Sequence, residues 1–223
     1  MNTLLEQASS NKNIKSAWNN EKFFKQILQL SSIEIAIEQL GLNDEELSFI
    51  KDNIYTFLES NDIQPETVLT SYHRYNKLYE YPEFSILARR LTDRAEMYAE
   101  KFLNFDLKNF SIVLEQMWFQ VYKKGMYHQM HNHSTTLISG SYYVEAPKNC
   151  AKFIVKHPIH AGLRDYPRNN DNNSLKNIRE TASITPKTNM LIMFPGWIDH
   201  AVPVHNIDEH RVMISCNWHW KAK

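Results

Sequence analysis

The stretch from Tyr122 to Val144, Y-K-K-G-M-Y-H-Q-M-H-N-H-S-T-T-L-I-S-G-S-Y-Y-V, decides how this chain is read. His128, His131 and His133 crowd into it just before a run rich in β-branched and aromatic residues. Side chains alternate along an extended backbone, so His131 and His133 point to the same side. Far downstream, F-P-G-W-I-D-H brings His200 in after an apolar run and a Pro-Gly turn, where a strand is expected to end. Two imidazoles from one strand end and a third from a distant strand can occupy one face of a metal ion. The opposite face stays open for substrate and oxygen, which is the logic of the facial triad in non-haem iron oxygenases. An H-x-H pair alone also occurs on ordinary surfaces, and His128 competes for a ligand position. His205, His210 and His219 are read as ordinary hydrogen-bonded histidines.

Outward from this stretch, the second half of the chain reads as strands joined by loops. Residues 112–122, 137–144, 152–156, 190–194 and 211–220 carry the β-branched and aromatic density of strands. Residues 160–180 form a long polar loop with Arg164 and Arg168, suited to a lid, a substrate contact or a plain surface loop. Along the last strand, Arg211, Met213, Ser215 and Asn217 share one face; Val212, Ile214, Cys216 and Trp218 share the other. A face bearing Arg, Ser and Asn is costly to bury without a partner. A bound dicarboxylate is one such partner; exposure of that face to water is the alternative.

The first half reads as helical. Ala17, Trp18, Phe23, Phe24 and Ile27 suit a short amphipathic helix, and residues 32–40 fit a strand or a helix equally. Asn43 with Glu46 forms a capping-box pattern ahead of Leu47, Ile50, Ile54, Phe57 and Leu58, which predicts a helix to about Glu59. Pro82 opens a second helix with a stripe of Phe84, Leu87, Leu91, Ala95, Tyr98 and Phe102. Arg89, Arg90 and Arg94 lie off that stripe, on a face expected to meet water. The expectation is an α+β chain: a helical N-terminal extension over 1–65, then a β-barrel domain with its supporting helix over 66–223.

Composition narrows the function classes. Lys plus Arg equals Asp plus Glu at 25 each, so there is no basic footprint for nucleic acid. No apolar run is long enough to span a bilayer, and the N-terminus lacks a secretory pattern. Two cysteines, Cys150 and Cys216, make no disulfide framework, and a reducing cytoplasm is the expected location.

Taken together, Tyr122-Lys-Lys-Gly125, His131-Asn-His133, the following I-S-G-S-Y-Y-V and the distal His200 to Trp218 segment resemble the 2-oxoglutarate/Fe(II)-dependent oxygenases of the prolyl-hydroxylase type. Residues 70–220 look like the small group of such oxygenases from marine bacteria and their phages that carries H-x-H. That resemblance implies a double-stranded β-helix, a jelly-roll or cupin-like barrel, with Fe(II) and 2-oxoglutarate as cofactors. It implies iron ligands His131, His133 and His200. Arg211 would anchor the distal carboxylate of 2-oxoglutarate, which suits a planar guanidinium fork. Tyr142 would donate to the same carboxylate, Tyr122 would line the pocket, and Ser215 and Asn217 would share the cosubstrate face. The implied reaction is dioxygenase chemistry: hydroxylation of an organic substrate, small molecule or peptide, with release of succinate and CO2. In one respect the pattern departs from the family's: His133 stands where a carboxylate ligand is usual, which leaves one more positive charge at the metal. Two other readings remain open at this stage. One is a three-histidine, cupin-like metal enzyme or zinc hydrolase without 2-oxoglutarate, since zinc readily accepts three histidines and water. The other is a non-catalytic binding module on the same fold.

Overall fold

A computed structural model describes residues 33–64, 66–158 and 181–223. The short helix expected near residues 17–27 and the loop over 160–180, with Arg164 and Arg168, lie outside the described residues. The described chain runs β1 (Ala36–Gln39), α1 (Asp44–Ser60), β2 (Leu69–Thr70), α2 (Pro82–Phe102), β3 (Phe110–Tyr122), β4 (His128–His131), β5 (Ile138–Glu145), β6 (Phe153–Lys156), β7 (Thr181–Ile184), β8 (Met190–Pro195), β9 (Asp199–Val202) and β10 (Arg211–Ala222). The strands form a six-stranded sheet in the order β1-β8-β5-β10-β3-β2 and a four-stranded sheet in the order β4-β9-β6-β7. Every strand pairing is antiparallel. Non-consecutive neighbours in both sheets mark the double-stranded β-helix.

The helices form where their caps and stripes predict. The Asn43 side chain accepts from the Glu46 amide at 2.9 Å, and Glu46 accepts from the Asn43 amide at 3.0 Å. Each satisfies a backbone donor that the first helical turn leaves unpaired. In α1, Ile50 and Ile54 are buried. In α2, Phe84, Leu87, Leu91, Ala95 and Tyr98 are buried, while Phe102 at the helix end is 48% exposed. Arg90 and Arg94 meet Glu46 and Glu38 in half-exposed ion pairs.

The helices join one face of the large sheet in a single core. Val212, Ile214, Cys216 and Trp218 of β10 belong to it, with Ile138, Tyr142 and Val144 of β5. Trp218 Nε1 donates to Thr92 Oγ1 of α2 at 3.1 Å. Its ring passes over Gly140, where an added Cβ would lie 2.7 Å from Cζ3. The glycine of I-S-G-S is thus the gap that lets Trp218 lie flat across β5. The other face of β10, with Arg211, Met213, Ser215 and Asn217, looks into the barrel, as its alternation predicts.

The described segments on either side of residue 65 pack into one core. One compact unit spans Glu34–Lys223. β1 pairs with β8 from Ala36↔Met193 to Gln39↔Met190, and α1 supplies the same core as α2. The ambiguous segment 32–40 resolves as a strand over 36–39 because its backbone finds the edge of β8 to pair with. Among the described residues, no helix is long and apolar enough to cross a membrane.

Candidate metal centre

His131 ends β4 and stands directly across from His200 on β9. His133 lies two residues beyond, in a turn held by its own amide donating to the Gly196 carbonyl at 2.7 Å. One nitrogen from each of His131, His133 and His200 falls within 4.8 Å of the others. The same three residues that the H-x-H spacing and the distal F-P-G-W-I-D-H singled out therefore converge. Asp199, adjacent to His200, accepts a hydrogen bond from Asn132 at 2.7 Å. Its carboxylate fastens the H-x-H turn to β9.

Each imidazole is oriented through its other nitrogen. His131 Nδ1 lies 2.8 Å from the Gln129 carbonyl, and His200 Nδ1 lies 2.9 Å from the Ile198 carbonyl. A carbonyl only accepts, so both Nδ1 atoms carry the proton. His133 Nδ1 lies 2.7 Å from Asn217 Oδ1 and 2.8 Å from Ser139 Oγ. The Asn217 amide is set by its Nδ2 donating to Gln116 Oε1 at 2.8 Å, so Oδ1 accepts from His133. All three Nε2 lone pairs are thereby left for a common ion, the arrangement that fixes tautomer and ring angle in histidine metal sites. Burial, reinforced by the neighbouring histidines, pushes His200 down to about 3 and lowers His133. Burial likewise brings His128 down to about 4. At neutral pH these are uncharged imidazoles, the form that ligates a metal.

Asn217, expected on the cosubstrate face, accepts a hydrogen bond from His133 Nδ1 and so can orient that ring. Asn217→Ala is expected to keep the fold and to weaken divalent-metal affinity by roughly 10–100-fold, the usual cost of losing such an orienting partner. Competition with a chelator measures this, and an unchanged affinity would rule the orienting role out. Gly196 has an equally specific reason to be glycine. A Cβ there would collide with the Thr136 carbonyl oxygen and lie 2.8 Å from the His133 carbonyl oxygen, both backbone atoms that cannot rotate away. Gly196→Ala is expected to destabilise the fold by about 1–3 kcal/mol, the range for overpacking, and to displace His133. A calorimetric scan and a metal titration should show both losses; wild-type metal binding would mean the turn is more tolerant than its contacts indicate.

The chamber behind the histidines is lined by Tyr122, Ser141, Met213 and Ser215 of the large sheet and by Phe153, His200 and Val202 of the small one. Arg211 is fully buried beside them, paired in register with Tyr122. Its guanidinium carbon lies 4.5 Å from the Tyr122 ring centre and 4.9 Å from that of Tyr143. Nη2 donates to the Tyr143 hydroxyl at 3.2 Å, while Nε and Nη1 have no partner at all. They are the only such orphaned buried side-chain atoms among the described residues. Burial pushes the Tyr122 hydroxyl up to about 12 and raises Tyr143, so neither phenol supplies a negative charge. A buried cation with two unpartnered donors beside this chamber fits an anionic ligand. Ser215 lines the chamber but donates to Gln120 Oε1 at 3.3 Å.

Tyr142 is the site residue the structure moves elsewhere. It pairs with Ile214, so both face the helices, and its hydroxyl donates to Asn189 Oδ1 at 2.9 Å. Tyr143 pairs with Met213 and takes the interior place beside Arg211. In a strand a shift of one residue exchanges the faces, and only the pairing register distinguishes Tyr142 from Tyr143. Gln120 and Ser139 were not anticipated; the sign available was a run of serines, Ser139 and Ser141, at alternate positions of an otherwise apolar strand.

Fold and site together define a double-stranded β-helix with a three-histidine centre and a buried cation behind it. Residues 116–217, from β3 to β10, match a family model described as "Putative 2OG-Fe(II) oxygenase". With that match and this fold, the barrel region resembles the 2-oxoglutarate/Fe(II)-dependent oxygenases. Among solved structures, the chain resembles HygX from Streptomyces hygroscopicus, determined with nickel and 2-oxoglutarate bound, at TM-score 0.59 and 11% identity over 83% of this chain and 82% of that one. It resembles the non-heme alpha ketoglutarate dependent epimerase SnoN from nogalamycin biosynthesis at TM-score 0.62 and 10% identity, over 86% and 81%. It also resembles the viral collagen prolyl hydroxylase of Paramecium bursaria Chlorella virus-1 at TM-score 0.53 and 13% identity, over 82% and 94%. At such identities these likenesses speak to the fold alone. No curated protein matches the chain in sequence.

Proposed function

We propose that this chain is a 2-oxoglutarate- and Fe(II)-dependent dioxygenase that hydroxylates an organic substrate and releases succinate and CO2. The observation that carries the reading is Arg211, a buried guanidinium with two unpartnered donors, held over Tyr122, which lines the same chamber as the three histidines. When bound, Fe(II) and 2-oxoglutarate supply the oxidative chemistry, using O2 as co-reactant. The chain's own residues do the rest. His131, His133 and His200 would hold the ion through their three converging nitrogens. Arg211 meets the distal carboxylate with charge-assisted hydrogen bonds, and the Tyr122 and Tyr143 rings hold its guanidinium in place. Trp118, Phe153 and Phe194 keep water from the chamber. A cavity of about 280 Å³ opens from the histidines toward Thr70, Tyr72 and His73, and it suits entry of a small molecule or the side chain of a peptide. Cys150 and Cys216 are free thiols, in keeping with a cytoplasmic location.

A three-histidine enzyme that does not use 2-oxoglutarate would leave Arg211 without a purpose, which is why that reading ranks second. The test is anaerobic titration of the purified protein with Fe(II) and then 2-oxoglutarate, followed by visible absorption. Chelation of ferrous iron by the 2-oxo acid is expected to give a weak charge-transfer band. Iron binding without the band assigns the centre to other chemistry; no iron binding at all favours a non-catalytic module.

A further inference from the structure

We infer that His128 binds the cosubstrate as a hydrogen-bond donor through Nε2, with Gln120 as the positioning residue that fixes its tautomer; the inference rests on the function proposed above. His128 differs from the other three histidines of the centre in one decisive respect. Their Nδ1 atoms donate to oxygen acceptors, whereas His128 Nδ1 faces Gln120 Nε2 at 3.1 Å. The structure places the Gln120 amide with its Nε2 toward the histidine. Its Oε1 accepts from Ser215 Oγ at 3.3 Å and stands 3.5 Å from the Tyr122 hydroxyl. Gln120 Nε2 is therefore the donor, His128 Nδ1 the acceptor, and the single proton of the neutral ring sits on Nε2. In the three ligands the proton is on Nδ1 and the Nε2 lone pair is free. One centre thus holds both tautomers, each set by a neighbour.

Placement shows what a donor is for. The His128 ring stacks on that of His131, with centroids 4.3 Å apart and planes at 24°, so it runs alongside a ligand and does not converge on the ion. His128 is not one of the three clustered residues. Register gives its level along the barrel. Asn217, bonded to His133, marks one end of the polar face of β10, and Arg211 marks the other. Gln120 pairs with Met213, between them, and carries His128 at that level. His128 lines the chamber with Tyr122 and Ser215, so an acid reaching from the metal toward Arg211 would lie alongside it. A neutral N–H there adds a donor for an anionic ligand without adding a second buried cation beside Arg211.

Two measurements on the full chain test this. Long-range proton–nitrogen NMR of the Zn(II)-loaded, histidine-labelled protein reads the tautomers directly. His128 is expected in the Nε2–H form and His131, His133 and His200 in the Nδ1–H form; His128 in the Nδ1–H form overturns the inference. Anaerobic 2-oxoglutarate titration of the Fe(II)-loaded protein then compares wild type, His128→Leu and His128→Gln. The leucine variant is expected to bind 2-oxoglutarate about ten- to a hundredfold more weakly, the range for a hydrogen bond to a charged group. Glutamine, which keeps an N–H donor, should restore most of that, and both variants should hold iron like the wild type. Equal 2-oxoglutarate affinity in wild type and leucine variant overturns the role of His128 while leaving the proposed function standing. Loss of iron from the leucine variant also overturns it, because His128 would then be a ligand. Failure of the wild type itself to bind 2-oxoglutarate removes the proposed function and this inference together.

Discussion

Arg211→Met is expected to do two things that seldom go together: abolish useful 2-oxoglutarate binding and leave the metal-free protein as stable as before, or more so. The guanidinium is fully buried, is stacked against the rings of Tyr122 and Tyr143, and has one hydrogen bond, to the Tyr143 hydroxyl. Holding an uncompensated ion in such a place costs several kcal/mol. Methionine fills similar space without that penalty, and the losses it brings are the hydrogen bond to Tyr143, about 1.5–3 kcal/mol for a charged donor, and the contacts with two rings. Ligand binding changes in the opposite sense. Two charge-assisted hydrogen bonds to a carboxylate disappear, at about 1.5–3 kcal/mol each, so the dissociation constant should rise by roughly a hundredfold or more. The readouts are independent: denaturant midpoints of the metal-free proteins, and 2-oxoglutarate titration of the Fe(II)-loaded ones. A marked fall in stability with unchanged 2-oxoglutarate affinity would make Arg211 a structural residue and remove the chief support for the proposed function. Iron affinity should be the same in both proteins, since Arg211 is not among the clustered histidines.

The parts of this molecule that were legible in sequence are those whose signal is local. The capping box at Asn43 and Glu46, the apolar stripe after Pro82 and the alternation along Arg211 to Trp218 each depend on residues within a turn or a strand of one another, and each appears in the structure as read. The His131-x-His133 pair was legible for the same reason, although His133 reaches the centre from a turn held by Gly196 and not from the strand itself. What was hidden depends on which strand lies beside which. Tyr142 and Tyr143 are indistinguishable until β5 is set against β10, and then Ile214 draws one outward and Met213 the other inward. Asn217 faces inward as the alternation says, but its purpose as the partner of His133 needs β5 and the H-x-H turn in place. β9 escaped notice because four residues such as D-H-A-V show no clear apolar alternation. The helix-or-strand ambiguity of 32–40 has the same origin: β1 is a strand because β8 offers it an edge.

His200→Ala is expected to reduce ferrous-iron affinity more than any other single change in the chain apart from the same change at His131 or His133. His200 is buried on β9, between Phe153 and Phe194, with ring centroids 5.5 and 4.8 Å from its own. Burial keeps its imidazole uncharged far into the acid range, so at neutral pH no proton competes with a metal. Without it, the ion would keep two nitrogens from one short segment and lose the strand that faces them. Metal-site binding energies of about 10–16 kcal/mol for four ligands imply several kcal/mol for each, which means a loss of at least a hundredfold. The charge-transfer band expected with 2-oxoglutarate should vanish at concentrations that saturate the wild type. His205 supplies the comparison, because it is fully buried as well and equally a histidine. Both its nitrogens are engaged by the backbone: Nδ1 accepts from the Ala151 amide at 3.3 Å, and Nε2 donates to the Glu209 carbonyl at 2.7 Å. It has no lone pair to offer a metal. His205→Ala should therefore lower the melting temperature and leave iron affinity unchanged, whereas His200→Ala should do the reverse in the larger degree. If the two variants lost iron equally, metal binding would be tracking stability alone, and the three converging nitrogens would not be the centre.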